Sequence, residues 1–128
     1  MVQLNPNLLK YGMIMNWNEL KDTKQLEELT KESHQQPILI FKHSASCSIS
    51  RTALGRLERS WNESEMKGVK PYFLDLISFR AISKNIADQF FVEHESPQVL
   101  LIRNGKSVYT RSHLDIEYKN VRSLVEKK

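Results

Sequence analysis

The sequence predicts an α/β domain: a central mixed sheet of four to five strands, flanked by helices on both faces. Three observations carry this. Strand and helix signals alternate along the chain, the pattern of βαβ units with parallel strands. The runs Ile38-Leu39-Ile40-Phe41 and Val99-Leu100-Leu101-Ile102 contain no polar residue, as in strands buried on both sides. Asn104-Gly105 stands between two strand-like segments, a strong hairpin signal that adds an antiparallel edge.

The elements follow in order. Trp17 and Leu20 belong to a short strand or turn that covers the core. Asp22 and Gln25 have the spacing of a capping box, and Leu26 and Leu29 share a face, so residues 23–34 read as a helix. Pro37 opens the first strong strand, over 38–41, and 42–46 reads as a short polar loop. From Cys47 to about Met66 the apolar residues Ile49, Ala53, Leu57 and Trp61 recur every fourth position, an amphipathic helix that Gly68 closes. Pro71 opens a strand over 72–77. Phe79, Ile82, Ile86 and Phe90 mark a helix over 79–91. A loop over 92–96 leads to Pro97 and a strand over 98–103. Residues 106–111 form its antiparallel partner, and Val121, Leu124 and Val125 mark a last helix over about 115–126. Residues 1–14 read as an N-terminal extension and 15–128 as one domain. No internal repeat, low-complexity tract or linker interrupts it.

Composition narrows the function. A chain of 128 residues with 40% apolar content can bury a core without staples. The longest apolar runs fall far short of the roughly 20 residues a membrane-crossing helix needs. Nineteen basic and 15 acidic residues are interspersed, so the net charge of +4 reads as a solvated surface and not as a nucleic-acid patch. A small anionic ligand is compatible with it. One cysteine excludes an internal disulfide and a cysteine-rich metal site, and His34, His43, His94 and His113 have no ligand spacing. No metal or cofactor is expected. A lone thiol and an N-terminus without a secretory signal pattern suit a reducing cytoplasm.

Cys47 stands at the first turn of a helix that follows a buried strand. Free backbone N–H groups and the positive end of the helix dipole point there, and a thiolate gains from both. Ser44, Ser46, Ser48 and Ser50 surround it, with hydroxyls that can donate to a sulfur anion or cap the helix. Lys42 and His43 are close enough in sequence to add positive charge. The alternative is a buried cysteine acting as a small hydrophobe, against which the serines argue. A proline between helix and strand, as at Pro97, can hold a cis peptide bond or simply open the strand. A cis Ser96–Pro97 bond would turn the Ser96 backbone toward Cys47. His113 and Asp75 read as surface or capping residues that can also reach the rim of the cysteine's site. Arg51 and Arg80 read as solvated helix residues able to meet a ligand carboxylate.

These residues resemble a known family. The run from Pro71 to Arg111 is similar to the C-terminal half of thioredoxins, with a strand ending in Leu-Asp, a helix through Ile82 and Phe90, a proline at 97 and Asn-Gly-Lys. Ser46-Cys47-Ser48-Ile49-Ser50, His94-Glu95-Ser96-Pro97-Gln98 and Ser112-His113 look more like the monothiol bacilliredoxins of the bacillithiol system, a general-stress type. The likeness spans about residues 15–126. It implies a thioredoxin-like fold and removal of bacillithiol, or a similar low-molecular-weight thiol, from protein mixed disulfides. Cys47 would be the attacking thiolate. Ser46, Ser48, Ser50, Ser96 and Pro97 would contact the small thiol, with Lys42, His43 and His113 as modulators. The partners implied are the small thiol, S-thiolated client proteins, and an external thiol or redoxin as reductant. Three departures stand out. The second cysteine of thioredoxins is Ser50, the proline after the cysteine is Ser48, and Phe41 and Lys42 fill the stretch where thioredoxins keep a buried acid.

Two rival readings keep the fold and change the function. One is a thioredoxin-fold binding module or stress-response adaptor without turnover, since one fold hosts many functions. The other is a peroxide-sensing thiol, with Cys47 forming a sulfenic acid.

Overall fold

The computed structural model describes residues 15–126; the N-terminal extension expected over 1–14 lies outside them. The elements in order are β1 (Asn18–Glu19), α1 (Thr23–Glu32), β2 (Ile38–His43), α2 (Ser48–Ser60), β3 (Lys70–Asp75), α3 (Arg80–Phe90), β4 (Gln98–Arg103), β5 (Lys106–Ser112) and α4 (Tyr118–Glu126). A single 3-10 turn, His113–Asp115, precedes α4. The strands form one five-stranded sheet in the order β1-β3-β2-β4-β5. β1, β3 and β2 are parallel, and β4 and β5 each run antiparallel to the previous strand.

β2 is the centre of this sheet, and all six of its residues are buried. Alternation along a strand sends successive side chains to opposite faces. Leu39 and Phe41 therefore join a core with Ala53 and Leu57 of α2, Val99, Leu101 and Val121 of α4. Ile38 and Ile40 join the other core, with Leu26 and Leu29 of α1, Ile82, Ile86 and Phe90 of α3, Leu100 and Ile102. The helices thus form two layers, α2 and α4 on one face, α1 and α3 on the other.

Local signals explain most boundaries. The Asp22 carboxylate accepts the Gln25 N–H at 2.8 Å, and the Gln25 side chain accepts the Asp22 N–H at 3.2 Å, a complete capping box. Asn104 and Gly105 both have positive φ, at 53° and 75°, which a two-residue hairpin of this hand requires. That turn is docked on the end of α1, where Ser33 accepts the Asn104 N–H on its carbonyl and the Gly105 N–H on its hydroxyl, each at 2.9 Å.

Several boundaries differ from the sequence reading, β3 ending at Asp75 and not 77 among them. β2 runs on past Phe41, so Lys42 and His43 are buried strand residues and not loop. α2 stops at Ser60, not near Met66. Trp61 turns extended there, and the Asn62 side chain accepts the N–H groups of Ser64 and Glu65 at 3.0 and 3.1 Å, bending the chain away. Gly68 lies in the turn before β3 and caps nothing. β3 begins at Lys70, two residues before the expected start at 72, and Pro71 sits within it. It is tolerated because β1 begins pairing only at Tyr72, so no partner strand waits for the missing N–H. The last helix begins at Tyr118, after the 3-10 turn.

One buried polar contact ties the chain's start to α2. Trp17 packs edge-on against Phe41 and Phe73, and its Nε1–H donates to Glu58 Oε2 at 3.1 Å. Burial raises the Glu58 carboxyl above its ordinary range. Trp17→Phe keeps most of the packing and removes this donor. The expected cost is about 1–3 kcal/mol in urea unfolding. An unchanged midpoint would show that the contact contributes nothing.

Candidate functional site

Register gathers the loops at one edge of the sheet. His43 at the end of β2 pairs with Asp75 at the end of β3, Lys42 pairs with Gln98 at the start of β4, and Gln98 pairs with Ser112 at the end of β5. The segments 44–47, 76–79, 91–97 and 113–115 therefore crowd together there.

Cys47 is half-buried and is the N-cap of α2, with extended backbone at φ −101° and ψ 120°. Its carbonyl accepts the Arg51 N–H at 3.1 Å, starting the helix, and its own N–H donates to the Ser44 carbonyl at 3.1 Å. The side chain makes no capping bond. The N–H groups of the next three residues have no intrahelical acceptor, so partial positive charge collects beside the sulfur.

The loop before Cys47 is held from beneath. The Ser50 hydroxyl is fully buried, accepts the Ser44 N–H at 3.0 Å and lies 2.6 Å from His43 Nδ1. A neutral His43 accepting the Ser50 proton at Nδ1 satisfies all three groups. Burial lowers His43 to about 4, with Asp75 opposing and Arg51 assisting, so the ring is neutral at pH 7. From outside, Arg51 Nη1 donates to the Ala45 carbonyl at 2.7 Å.

The structure separates the residues that the sequence grouped. Ser46 and Ser48 are exposed on either side of Cys47, while Ser50 faces inward. Lys42 lies on the opposite sheet face, where its Nζ donates to the Ser83 carbonyl at 3.2 Å and sits 3.3 Å from His94 Nδ1, directed away from the cysteine loop. The Ser96–Pro97 bond is cis, Ser96 is half-buried, and Pro97 is buried at the start of β4. Continuing the β2–β4 pairing sets Pro97 beside the end of β2 and hence beside the cysteine loop. The Pro97 carbonyl accepts the N–H of His113 at 3.0 Å. His113 itself is exposed, at φ 56°, on a turn that is tied to α2 through Arg56 Nη1 and the Leu114 carbonyl at 3.3 Å. Asp75 caps the turn after β3, accepting from Ile77 and Ser78. Arg80 is exposed at the start of α3, on the Lys42 side.

Sequence reasoning missed the apolar rim of this edge. Ile49, read as one of the apolar positions of the amphipathic helix, is 43% exposed, and Ile77, read as strand, is 48% exposed. Leu114 and Phe91 are 51% and 95% exposed. All four belong to the first turn of α2 or to loops that the register brings to this edge. It also missed the contact of the buried Lys42 and Ser83 with the exposed His94, whose one visible signal is a lysine directly following an unbroken apolar run. Among the described residues, no three His, Cys, Asp or Glu side chains are placed to hold a metal ion, and no helix is long and apolar enough to cross a membrane.

Two outcomes follow from these buried polar groups. Ser50→Ala removes the hydroxyl that bonds His43 Nδ1 and the Ser44 N–H, and is expected to cost about 1–3 kcal/mol in urea unfolding. Faster amide exchange at Ser44 should accompany it, and unchanged exchange would refute the anchoring role. For Lys42, burial lowers the ammonium from 10.5 to about 8. The unfolded chain therefore binds more protons between those two values, and stability rises with pH across that window. Below it both states are charged, and the buried charge costs about 3 kcal/mol. Lys42→Met is expected to stabilise the protein at pH 7 by about 1–3 kcal/mol and to flatten the alkaline rise relative to the parent. Equal urea midpoints for both proteins at pH 7 and pH 10 would refute this.

Comparison with known proteins agrees with the geometry. A solved structure described as a candidate oxidoreductase with a thioredoxin fold superposes with a TM-score of 0.72 at 29% identity, covering 85% of this chain and 92% of that one. Thioredoxin from Malassezia sympodialis gives 0.66 at 12% identity, over 85% of this chain and 87% of that one. Thioredoxin from Fasciola hepatica gives 0.61 at 19% identity, over 84% and 95%. These likenesses give the fold, and the thiol chemistry follows from a family match. The model of the monothiol bacilliredoxin BrxC matches residues 18–121. The chain is thus a thioredoxin-fold protein of the thiol-oxidoreductase kind, and it belongs to the monothiol bacilliredoxin family.

Proposed function

We propose that this protein removes a low-molecular-weight thiol of the bacillithiol type from protein mixed disulfides, using Cys47 alone. The observation that carries the reading is Cys47 itself: a half-buried lone thiol at the N-cap of α2, with a buried serine where a resolving cysteine would stand. The Cys47 thiolate attacks the small thiol's sulfur in the client's mixed disulfide. A new disulfide forms between Cys47 and the small thiol, the old S–S bond breaks, and the client leaves as a thiolate that takes up a proton. Because the chain has one cysteine, the adduct must be cleared from outside. A second small thiol or another redoxin attacks it, becomes oxidised in turn and releases reduced Cys47.

In this reading Ser46, Ser48, Ser96 and Pro97 border the bound thiol, and His113 tunes its surroundings. Ser50 and His43 act through the loop they hold. The exposed rim of Ile49, Ile77, Phe91 and Leu114 receives the S-thiolated client. A cytoplasmic setting and a role in stress response fit a thiol that depends on a reducing partner.

The test mixes reduced protein with a model client carrying a bacillithiol mixed disulfide and follows the intact mass. One small thiol should add to the parent and none to Cys47→Ser, with the client's free thiol appearing in equal amount. No adduct from bacillithiol, glutathione or coenzyme A mixed disulfides would refute the exchange and favour a binding module on the same fold.

A further inference from the structure

The Lys42–Ser83–His94 cluster serves no step of the cysteine chemistry, and it adjoins a cavity on the opposite face of the sheet. That cavity, of about 400 Å³, is lined by residues of α3 and of the loop after it, among them Arg80, Ser83, Lys84 and His94. Lys42 lies behind this wall, fully buried, 3.3 Å from His94 Nδ1. No carboxylate bonds or pairs with Lys42 among the described residues, so a buried positive charge there lacks its usual counter-charge.

The hydrogen-bond pattern sets the direction of the His94 ring. An ammonium can only donate, so His94 Nδ1 accepts from Lys42 and shares the Ser83 hydroxyl at 3.1 Å. The ring proton is then on Nε2, which has no partner among the described residues and, on an exposed ring, is open to solvent or a ligand. Arg80 is close enough for its charge to act on His94, alongside that of Lys42, with Glu95 opposing. Arg80 and Lys84 themselves form no ion pair among the described residues. Asp88 and Glu93 also line the cavity, which favours a small ligand at the Arg80–His94 end over a polyanion filling the whole space.

We infer that this cavity is a binding site for a small oxyanion, a carboxylate or a phosphate, held by Arg80, Lys84 and the Nε2–H of His94 over the buried Lys42. The anion supplies the counter-charge that Lys42 lacks, and it does so without a second buried ion pair within the chain. The site is separate from Cys47, and the inference stands whatever the fate of the thiol-exchange reading.

The experiment follows the four histidine rings of the full-length protein by NMR. Inorganic phosphate and acetate are titrated separately, with chloride at matched ionic strength as the control. Phosphate or acetate should shift the His94 ring saturably and raise its pKa, leaving His113 unmoved, and whichever anion does so names the class. Arg80→Gln, a change at an exposed position, should weaken that anion about tenfold, the loss of one charge-assisted contact. Cys47→Ser should bind as the parent does. An equal shift with chloride, an equal affinity in Arg80→Gln, or no His94 response to either anion would overturn the inference.

Discussion

Strand β2 has no solvent-facing side, and the rest of the molecule is arranged around that constraint. Helices must cover both of its faces, which fixes two cores and two helix layers. Its last two residues are not apolar, so the same burial that makes Ile38 to Phe41 a core strand forces Lys42 and His43 to find polar partners. Alternation then decides which partners. His43 turns toward α2 and meets Ser50; Lys42 turns toward α3 and meets Ser83 and His94. The central strand therefore feeds two polar clusters, one under each helix layer, and one of them holds up the cysteine loop.

Much of this was legible in the sequence. The two unbroken apolar runs located the central strands, Asp22 and Gln25 located the start of α1, and Asn104-Gly105 located the hairpin. Each of these is a local signal that acts over a few residues. The failures needed longer reach. The residue pattern of 49, 53, 57 and 61 carries a helix past its real end, because the Asn62 side chain stops it by capturing backbone amides further on. Lysine and histidine after Phe41 read as a loop because their burial depends on Ser83, His94 and Ser50, which are brought near only by tertiary pairing. The position of Cys47 was legible as the junction of strand and helix. The inward turn of Ser50 was not, since four serines in a short stretch look alike until the helix assigns them to faces.

The exposed apolar residues have the same origin. Ile49 has the spacing of a core residue, but at the first turn of α2 the helix has already reached the end of the sheet, and nothing remains there to pack against. Ile77, Phe91 and Leu114 follow the ends of β3, α3 and β5 in the same way. Phe91 in particular caps α3 in the left-handed region at φ 55°, a conformation that costs a bulky residue about 1 kcal/mol or more and that glycine would adopt freely. Neither helix capping nor packing accounts for a phenylalanine there. On the function proposed above, Phe91 would belong to the surface that receives the client.

The serine at the second position is where structure and chemistry meet. A cysteine there would give the chain its own resolving thiol, and it would also be a weak hydrogen-bonding partner for the Ser44 N–H and His43. Ser50 makes both bonds at full strength and is entirely buried. The loop is held in place by an oxygen that can take no part in thiol exchange, so in the proposed reaction the loop's anchor would keep its bonding whether Cys47 is free or disulfide-bonded. This separation of anchor from reacting sulfur would leave the adduct on Cys47 dependent on an outside thiol, and the identity and supply of that thiol would then control turnover.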